Sequence, residues 1–516
     1  MEIKTRILKN QYHDSVALMF AAKQLKKHTE VADAALIMGT EVNKELLEQG
    51  GLLTQKAQTA QANDLIITVK CNANAEDYLD EAQSLLVRKT QEKQAGIALP
   101  KSVRSAMYAY PDLNLVVISI AGVYAAREAR EALANGLHVL LFSDNVSLDD
   151  EISLKKFARQ RNLLLMGPGA GTAIINGVGL GFANAVSRGK IGIVAAAGTG
   201  LQEVSTLISK KGAGISQAIG TGGRDLSQAV GGLTFFAAID ALQADPQTEV
   251  LALISKPPDE EVTKGLIEKI KSSKKKAALC LLGADLPGES SGNIYFTRTL
   301  EECAYAAAAL SGKGELDVMQ TILTEDEKLQ PVIKQWQEKI SRDQRFIRGL
   351  FSGGTLCYEA QVIWKEFLTL PVYSNAPLDK QNRLKDTGRS QGHSAVDLGE
   401  EEFTLGRPHP MIDNDLRIQR MREEAVDTGT AVIMLDVVIG YGAHADPATE
   451  LGEAIRQLSK EAQEEKRNIA FIASVTGTEN DPQGLSRSAK ILEDAGVIVC
   501  SSNAQAARLA VALVES

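Results

Sequence analysis

Two stretches of the chain place glycine and threonine between an apolar run and a helical pattern. The first is K-I-G-I-V-A-A-A-G-T-G-L-Q-E-V, Lys190–Val204, and the second is R-G-L-F-S-G-G-T-L-C-Y-E-A, Arg348–Ala360. A strand, a glycine turn and a helix leave unpaired backbone N–H groups at the helix N-terminus, where the helix dipole also favours negative charge. One such turn could equally be an ordinary α/β connection shaped by its glycines, but two copies favour an anion site. We therefore predict phosphate binding by Gly198, Thr199, Gly200, Gly353, Gly354 and Thr355.

A third glycine-rich loop, Ala218–Asp225, follows the first turn and reads A-I-G-T-G-G-R-D. Its arginine, Arg224, could bind a phosphate or carboxylate through two parallel hydrogen bonds. Two glycine loops that leave one sheet and converge on an anion are a stronger signal than either loop alone. This loop adds Gly222, Gly223 and Arg224 to the predicted phosphate-binding residues.

Ionisable side chains are dense in the stretch G-R-P-H-P-M-I-D, Gly406–Asp413. It contains Arg407, and prolines on both sides of His409 restrict the backbone there. Further on, His444 follows a predicted strand, at the carboxyl end where ligands of parallel sheets bind. Each histidine could act in the chemistry of a site, and the alternative is a loop histidine that bonds to backbone.

The elements around the two glycine turns occur twice in the same order. After Thr199 the pattern predicts strands at residues 249–255, 277–283 and 294–298, and then a helix at 300–310. After Thr355 it predicts strands at residues 431–438, 469–475 and 497–501, and then a helix at 504–514. We predict two related α/β domains, residues 189–314 and 345–516, joined by a helical connector over residues 315–344.

Two further parts precede these domains. Residues 1–100 predict a small α+β module that ends in a polar linker, and residues 101–188 predict a βαβαβ unit with a parallel sheet of Rossmann type. No strand of this unit leads into G-x-G-x-x-G, so no fingerprint supports a dinucleotide. Its last strand, predicted to be buried like the first at Asn114–Ala121, ends at M-G-P-G-A-G-T, Met166–Thr172, where a ligand could bind. In the last domain, the polar stretch 377–401 predicts a long surface loop.

Composition limits the function. The chain has 516 residues, 44% hydrophobic and 23% charged, which is typical of a soluble protein with several domains. A net charge of −9 and only 5% aromatic residues argue against nucleic acid or an anionic membrane as the main partner. Five cysteines without C-x-x-C spacing lead us to predict no metal site and a reducing cytoplasm. We also expect no signal peptide and no segment that crosses a membrane.

At these residues the chain resembles the succinyl-CoA synthetase superfamily, and most closely its FdrA-like branch. In the synthetase α subunit, the similar elements are the Gly-Pro-Asn-Cys loop, the Ser-Gly-Thr…Glu element and the Gly-Ile-Gly-Gly-Asp loop. They correspond here to Gly167–Gly169 with Gly171, to Ala197–Thr199 with Glu203, and to Gly220–Asp225. Ser352–Thr355 and Gly440–Gly442 resemble the carboxyl-terminal domain of the β subunit, and Tyr12–Ser15 and His409 with its prolines and Asp413 resemble FdrA-like proteins.

The resemblance covers about residues 114–516. It implies a Rossmann-like domain of the CoA-binding type at residues 101–188, and two flavodoxin-like synthetase-type domains after it. Two features of the synthetases are missing. The loop that carries their phosphorylated histidine corresponds to A-D-L-P-G-E-S-S-G, Ala284–Gly292, which has no histidine, and no segment between the domains is long enough for an ATP-grasp domain.

The FdrA-like resemblance implies a subunit of an oxamate carbamoyltransferase in purine-ureide breakdown, which converts oxalurate and phosphate to oxamate and carbamoyl phosphate. In that reaction Glu203, Glu359 or His409 could move the proton. The carbonyl substrate would contact Gly169, Gly171, Thr172, Arg407, Gly440, Gly442 and His444. Phosphate and carbamoyl phosphate are the expected ligands, and CoA is the alternative ligand.

Two other functions are kept as alternatives. One is an acyl-CoA synthetase or CoA transferase of the same superfamily, against which the missing histidine counts. The other is a non-catalytic subunit that binds a ligand and holds a partner enzyme. The expected partners are a small-molecule substrate and companion subunits of the carbamoyltransferase, and a homo-oligomer is a further expectation.

Overall fold

The strands of the described residues form four sheets. The structure is a computed structural model that describes residues 1–11, 13, 15–91, 100–287, 290–315, 317–404 and 407–515. Its backbone contacts divide the chain into two units, Met1–Pro100 with Glu401–Pro408, and Lys101–Glu400 with His409–Ser516. The architecture is the mixed α/β class predicted from the sequence.

The first unit is a small α+β module, as predicted. Its elements are β1 (Glu2–Leu8), α1 (Ser15–Lys26), β2 (Val31–Met38), α2 (Glu41–Gln49), α3 (Gln55–Gln58), β3 (Leu65–Cys71) and α4 (Ala75–Gln91). The sheet is antiparallel in the order β1-β3-β2, and β3 is buried because it is the central strand. Tyr12 and Asp14, which belong to the predicted FdrA-like signature and helix cap, lie outside the described residues, as do residues 92–99 of the predicted linker.

The second unit begins with a layer of three parallel strands. Its elements are α5 (Val103–Ala109), β4 (Leu115–Ile118), α6 (Gly122–Ala134), β5 (His138–Leu141), α7 (Leu148–Gln160) and β6 (Leu165–Met166). The predicted βαβαβ unit is present, and the strand order is β4-β5-β6. The sequence predicts β4 as a buried strand, but the Val117 side chain is 47% exposed. The reason is that β4 is an edge strand, with no partner on its outer side among the described residues.

A seven-stranded sheet follows. Its elements, with the helices after it, are β7 (Thr172–Ile175), β8 (Val178–Gly181), β9 (Arg188–Ala195), α8 (Gly198–Lys210), β10 (Ile215–Gly220), α9 (Leu233–Ala244), β11 (Val250–Ser255), α10 (Glu260–Lys271), β12 (Lys276–Leu281), β13 (Ile294–Thr297), α11 (Leu300–Leu310), α12 (Val318–Glu327) and α13 (Gln330–Lys339). The order is β13-β12-β11-β9-β10-β7-β8, so the hairpin of β7 and β8 joins this sheet ahead of residue 189.

The last sheet has six strands. Its part of the chain contains β14 (Phe346–Phe351), α14 (Gly354–Phe367), β15 (Val372–Ser374), a 3₁₀ turn (Lys380–Asn382), β16 (His393–Asp397), α15 (Glu401–Thr404, in the first unit), α16 (Asp415–Val426), β17 (Thr430–Val438), α17 (Pro447–Glu464), β18 (Ala470–Thr476), α18 (Leu485–Asp494), β19 (Ile498–Cys500) and α19 (Asn503–Val514). The strands are parallel in the order β15-β16-β14-β17-β18-β19.

The two sheets repeat one topology, which agrees with the repeat seen in the sequence. Reading from one edge, β13-β12-β11-β9-β10 corresponds to β19-β18-β17-β14-β16. We call residues 188–310 the first repeat and residues 346–514 the second repeat. All of these strands are parallel, so the glycine turns after β9 and β14 both lie at carboxyl ends, where open α/β sheets bind ligands.

The predicted surface loop at residues 377–401 is wrong over its last part. His393–Asp397 is β16, a fully buried strand between β14 and β15. The sequence did not indicate a buried strand because both end residues, His393 and Asp397, are polar. They can be buried because their hydrogen-bond partners lie inside the protein. The Nδ1 atom of His393 accepts from the backbone N–H of Ile347 at 3.2 Å, and burial lowers the pKa of this imidazole to about 4.

Across the described ranges, no helix has both the length and the apolar character that are needed to cross a membrane.

Candidate functional site

The two glycine turns lie directly against each other. Gly198 begins α8 and Gly354 begins α14, and the cap residue before each helix makes no side-chain hydrogen bond to it. A Cβ atom added at Gly353 would lie 2.8 Å from the Thr199 side chain, and one added at Gly200 would lie 2.9 Å from Cγ2 of Thr355. The predicted position of phosphate between the turns is therefore filled by the two threonines, which are 8% and 4% exposed.

This contact gives a first prediction. We expect Gly353→Ala to lower the free energy of unfolding by about 1–3 kcal/mol, because the new methyl group would overlap the Thr199 side chain. Gly223→Ala is the control, since a Cβ atom there would meet nothing within 4 Å. Thr199→Ala should restore part of the loss in a double variant. Equal thermal unfolding midpoints for Gly353→Ala and Gly223→Ala would contradict the contact.

The start of α14 opens onto a buried carboxyl group and a lysine. A Cβ atom at Gly354 would contact Oδ2 of Asp397 and lie 3.6 Å from Nζ of Lys256. Asp397 ends β16, whereas Lys256 follows β11 in the other repeat. Both repeats therefore contribute to one group of side chains, and we call Asp397, Lys256 and the start of α14 the Gly354 site.

Asp397 has the properties of a proton carrier. It is 3% exposed, and burial raises the pKa of its carboxyl group to about 7, against the lowering effect of the nearby Lys256 charge. Its backbone N–H donates to Oδ1 of Asn375 at 2.9 Å, and the Asn375 amide donates to its carbonyl at 2.9 Å. Its Oδ1 atom accepts from the N–H of Gly399 at 2.9 Å, so Oδ2 faces the helix start. A carboxyl group with a pKa near neutrality, held in one orientation at a strand end, is a candidate acid and base.

A second buried carboxylate uses the N–H groups that precede α14. Asp436 accepts from the backbone N–H of Ser352 at 2.7 Å, from the Ser352 hydroxyl at 2.9 Å and from the N–H of Gly353 at 2.8 Å. The Arg417 guanidinium lies 3.5 Å from Oδ1 of Asp436 and also donates to its carbonyl. The N–H of Gly353 is thus already occupied, which leaves Gly354 and Thr355 as the predicted phosphate-binding residues of this turn.

The predicted histidines both bond to backbone through Nδ1. His409 Nδ1 accepts from the N–H of Met411 at 3.2 Å, and burial together with the Arg417 charge lowers the pKa of the imidazole to about 4. The neutral ring therefore carries its proton on Nε2, which lies 2.7 Å from the position of a Cβ atom at Gly399. His444 Nδ1 accepts from the N–H of Asp446 at 3.0 Å, and its Nε2 is 3.4 Å from Glu450. Each ring is arranged to donate from Nε2, and a part for either in substrate binding or proton transfer stays a prediction.

The predicted catalytic glutamates lie at the junction of the repeats. Glu203 accepts from the N–H of Asn503 at 3.0 Å and from the Thr476 hydroxyl at 2.5 Å. Glu359 accepts from the N–H of Leu300 at 2.7 Å and from the Asn503 amide at 2.8 Å. Asn503 and Leu300 are the first residues of α19 and α11, so each glutamate caps the last helix of the opposite repeat. All four carboxylate oxygens have partners, and the proposed proton transfer by these residues stays a prediction.

Glu359 should make the stability of the chain depend on pH. Burial raises the pKa of Glu359 from its ordinary value of 4.5 to about 8, so the folded state holds this proton more tightly than the unfolded state. The resulting stabilisation is complete below about pH 4.5 and is lost as the pH rises towards 8. We expect Glu359→Gln to remove about 1.4 kcal/mol per pH unit from the slope of unfolding free energy in this window.

The measurement is urea denaturation at a series of pH values, with Glu338→Gln on the exposed side of α13 as the control. Parallel slopes for Glu359→Gln and the control would show that Glu359 is ionised in the folded chain.

The arginine of the third glycine loop is bound elsewhere. Arg224 lies 2.8 Å from Glu151 and donates to the carbonyl of Val146 at 2.8 Å, so its guanidinium is attached to the first layer. Gly222, with φ +89°, has the carbonyl of Pro168 2.5 Å from the position of a Cβ atom. Gly223 is open to solvent on that side. The predicted phosphate contact of these three residues stays a prediction, and the geometry gives Arg224 another partner.

Packing explains why glycine occupies the predicted substrate-binding positions. A Cβ atom at Gly440 (φ +125°) would lie 2.6 Å from the carbonyl of Ala183, and one at Gly442 (φ +79°) would lie 3.1 Å from Phe182. A Cβ atom at Gly169 would lie 2.6 Å from the Asp144 carboxylate, and one at Gly171 would lie 3.6 Å from the ring of Phe182.

The predicted Thr172 and Arg407 differ in placement. The structure brings the Thr172 hydroxyl to 4.0 Å from the position of a Cβ atom at Gly198, the exposed start of α8. Arg407 is exposed and belongs to the first unit, so its predicted contact with substrate stays a prediction.

The sequence analysis missed Asp397, Lys256 and Asp436. For Lys256 and Asp436 the available signal was position, because each follows an apolar run in a strand beside β9 or β14. No such run precedes Asp397, which ends H-S-A-V-D.

Comparisons with known proteins agree with the repeated α/β architecture. Residues 350–513 match a domain family described as CoA-ligase, and residues 186–281 match a CoA binding domain. The second match falls on the first repeat, not on the layer of β4, β5 and β6. Residues 1–101 match a domain described as AllF, heavy metal-associated domain.

Relatives extend the comparison to the whole chain. The chain is 44% identical over 513 residues to the uncharacterized protein YahF of Escherichia coli, which covers 99% of this chain and 98% of that protein. It is 32% identical over 147 residues to the alpha subunit of the ADP-forming succinate–CoA ligase of Aquifex aeolicus. That match covers 27% of this chain and spans only 47% of the subunit.

Solved structures give weaker matches. ATP citrate lyase from Methanothrix soehngenii in complex with citrate and coenzyme A aligns with a TM-score of 0.36 at 17% identity, over 41% of this chain and 40% of that one. A dinucleotide-forming acetyl-coenzyme A synthetase of Ca. Korarchaeum cryptofilum aligns with a TM-score of 0.30 at 12% identity, over 82% and 86%. At these scores the structural likeness adds nothing to the sequence matches.

The matched families imply two ligands, a heavy metal in the first unit and CoA in the first repeat. The first unit has one cysteine, Cys71, buried in β3, and its described residues include no group of three potential metal ligands. In the first layer, where the sequence predicted the CoA-binding type, the start of α6 at Gly122 is closed by the carbonyls of Asp144 and Asn145. The first turn of α7 there carries three acidic residues, which oppose the diphosphate of CoA. The residues that match the CoA binding domain, 186–281, instead contain the exposed and uncapped start of α8 at Gly198.

Proposed function

The chain belongs to the FdrA-like family of the succinyl-CoA synthetase superfamily, and on this basis we propose that it transfers a carbamoyl group to phosphate. The proposed reaction is the phosphorolysis of oxalurate to oxamate and carbamoyl phosphate. The observation that carries the proposal is the Gly354 site, where Asp397, Lys256 and a helix N-terminus meet at the carboxyl ends of β16 and β11.

The sequence argues against charging by a phosphohistidine. The loop that corresponds to the histidine loop of the synthetases, Ala284–Gly292, has no histidine. A reaction that begins from inorganic phosphate needs an anion site and a proton carrier, and it needs no phosphorylated side chain. The Gly354 site offers both, so phosphorolysis is the chemistry of the superfamily that these residues support best.

We assign the phosphate to the start of α14. The backbone N–H groups at Gly354 and Thr355 have no side-chain cap, and Lys256 adds a positive charge beside them. An oxygen of HPO₄²⁻ attacks the ureido carbonyl carbon, and the bond from this carbon to the nitrogen of oxamate breaks. Asp397 accepts the proton of the phosphate and gives it to the leaving nitrogen, so charge and protons balance.

His409 would act as a donor in this scheme. Its Nε2 and the Oδ1 atom of Asp397 both lie near Gly399, at 2.7 Å and 3.2 Å from the position of a Cβ atom there. A neutral imidazole that donates from Nε2 can stabilise the negative charge that develops on the carbonyl oxygen during attack. Glu203 and Glu359 remain competing proton carriers, and separate variants distinguish them from Asp397.

The cellular setting is also part of the proposal. An N-terminal domain of the AllF type fits a place in allantoin breakdown. We propose that the chain acts in the cytoplasm with companion subunits that complete the carbamoyltransferase.

The test is an assay of oxalurate loss and carbamoyl phosphate formation at increasing phosphate concentrations. It uses the full chain, first alone and then with its companion subunits. Phosphate-dependent loss with equal amounts of oxamate and carbamoyl phosphate supports the proposal. No phosphate-dependent loss under either condition would overturn it.

The CoA-ligase and CoA-binding matches favour a second candidate, an acyl-CoA synthetase or CoA transferase. The exposed start of α8 at Gly198 is the remaining open helix terminus for its anion. Calorimetric titration with CoA, phosphate and carbamoyl phosphate separates the candidates, because saturable binding of CoA alone would favour the second. A scaffold subunit without catalysis would keep its complex active when Asp397 is replaced.

A further inference from the structure

A cavity of about 550 Å³ lies at the carboxyl ends of β12 and β13. It is large enough for a metabolite of drug-like size. Leu281 and Phe296 line it from the sheet, and Val362 and Ile363 line it from α14. Residues 283–287 after β12 and the first turn of α12 complete its walls. Open α/β sheets bind ligands at this edge, which makes the cavity a candidate site.

The cavity is separate from the Gly354 site. Val362, the lining residue of α14 nearest to Gly354, lies eight residues after it. At a rise of about 1.5 Å per residue, the two sites are therefore about 12 Å apart along the helix.

At the equivalent position beside the second repeat, a lysine bonds across the strand ends. The residue of α8 that corresponds to Glu366 is Lys210, because each lies twelve residues after the first residue of its helix. Its ammonium group donates to the carbonyls of Val475 and Ser501, both at 3.2 Å, across the ends of β18 and β19. The repeats share one topology, but a lysine occupies this position in one of them and a carboxylate lines a cavity in the other.

Three exposed charged side chains line the cavity. Among the residues that the structure describes, the side chains of Arg298, Asp285 and Glu366 make no hydrogen bond or ion pair, although all three line the cavity. Glu302 also lines the cavity, so one guanidinium and three carboxylates stand around its apolar walls. This pattern is complementary to a molecule with a carboxylate, an N–H donor group and an apolar body.

We propose that the cavity binds an amino acid, free or N-carbamoylated, with an apolar side chain. Arg298 binds the carboxylate through two parallel hydrogen bonds, and Asp285 and Glu366 accept from the ammonium or ureido N–H groups. The apolar side chain packs against Phe296 and Val362. The inference does not rest on the proposed carbamoyl transfer, because it uses a different part of the molecule.

The test is calorimetric titration of the full chain with four matched probes. They are L-leucine, N-carbamoyl-L-leucine, 4-methylpentanoate, which lacks the amine of leucine, and 3-methylbutylamine, which lacks its carboxylate. We expect leucine or its N-carbamoyl derivative to bind saturably and at least tenfold more tightly than either fragment. Tighter binding of leucine would assign the N–H groups to an ammonium, and tighter binding of the derivative would assign them to a ureido group. No saturable binding of either up to about 10 mM, or equal affinity for a fragment, would overturn the proposal.

Variants locate the binding. Arg298→Met and Glu366→Gln should each weaken the stronger probe by about tenfold, because each removes a hydrogen bond to a charged group. The controls are Arg127→Met on α6 and Glu338→Gln on α13, both exposed and remote in the chain from the cavity. Unchanged affinity in Arg298→Met and Glu366→Gln, with unfolding midpoints equal to those of the controls, would place the binding elsewhere and reject the assignment.

Discussion

Asp397→Asn is expected to lower the rate of phosphate-dependent oxalurate loss by about 10²–10⁴-fold, because the amide cannot carry the proton from phosphate to the leaving nitrogen. The carboxyl group is buried, the N–H of Gly399 fixes its orientation while Asn375 holds the backbone, and burial raises its pKa to about 7. Asparagine has nearly the same shape, so the fold should be retained. The measurement is the initial rate of carbamoyl phosphate formation at saturating phosphate.

The control for this variant is Asp494→Asn, at an exposed carboxylate on α18 that pairs with Lys490 at 2.7 Å. The rate should be unchanged there. Glu203→Gln and Glu359→Gln belong in the same series, because they are the competing proton carriers. If Asp397→Asn retains the rate and one of the glutamine variants loses it, the proton carrier is that glutamate at the junction of the repeats and not Asp397. The intact chain should also show a change of rate near pH 7, the pKa of Asp397.

Lys155→Met is expected to lower the free energy of unfolding by about 3–5 kcal/mol, since it leaves two buried carboxylates without their shared cation. The Lys155 ammonium lies 2.8 Å from Glu151 and 2.7 Å from Asp225, and the lysine is 2% exposed. It also donates to the carbonyl of Thr221 at 3.1 Å. The lysine on α7 thereby joins the first layer to the third glycine loop.

The neighbouring Lys156 provides the matched control, because it is exposed on the same helix. Lys156→Met should change the unfolding free energy by less than about 0.5 kcal/mol. Urea denaturation of both variants at pH 7 makes the comparison. Asp225 also accepts from the N–H groups of Thr234 and Phe235, so the loss should include loosening of the start of α9. Similar urea midpoints for the two variants would contradict the buried network.

The repeat could be predicted from the sequence because its signals are local. Apolar runs of strand length and glycine turns recur in the same order, and the sheets have the matching strand order. β16 was missed because its five residues, H-S-A-V-D, carry polar groups at both ends. Those groups are satisfied by Ile347, Asn375 and Gly399, and no local pattern in the sequence shows this.

The site was less accessible to prediction because its chemistry depends on distant partners. Asp397 acquires its raised pKa from burial against residues of other elements, and Lys256 reaches it from the other repeat. Glu203 was identified from its offset after the glycine turn, but its partner Asn503 lies 300 positions further along the chain. The direct contact of Thr199 with Gly353 was equally unpredictable, since each turn alone has the pattern of an open anion site.

The reciprocal caps at Glu203 and Glu359 bear on why the two repeats occupy one polypeptide. Each last helix has a cap from its own repeat, Thr299 or Ser502, but its first N–H donates to the glutamate of the other repeat. The helix start is therefore fully bonded only when the two repeats are together, and every copy of one requires a copy of the other. A single chain fixes their ratio at synthesis and holds them at a high effective concentration. Covalent linkage thus replaces what two separate subunits would have to achieve through balanced expression and assembly.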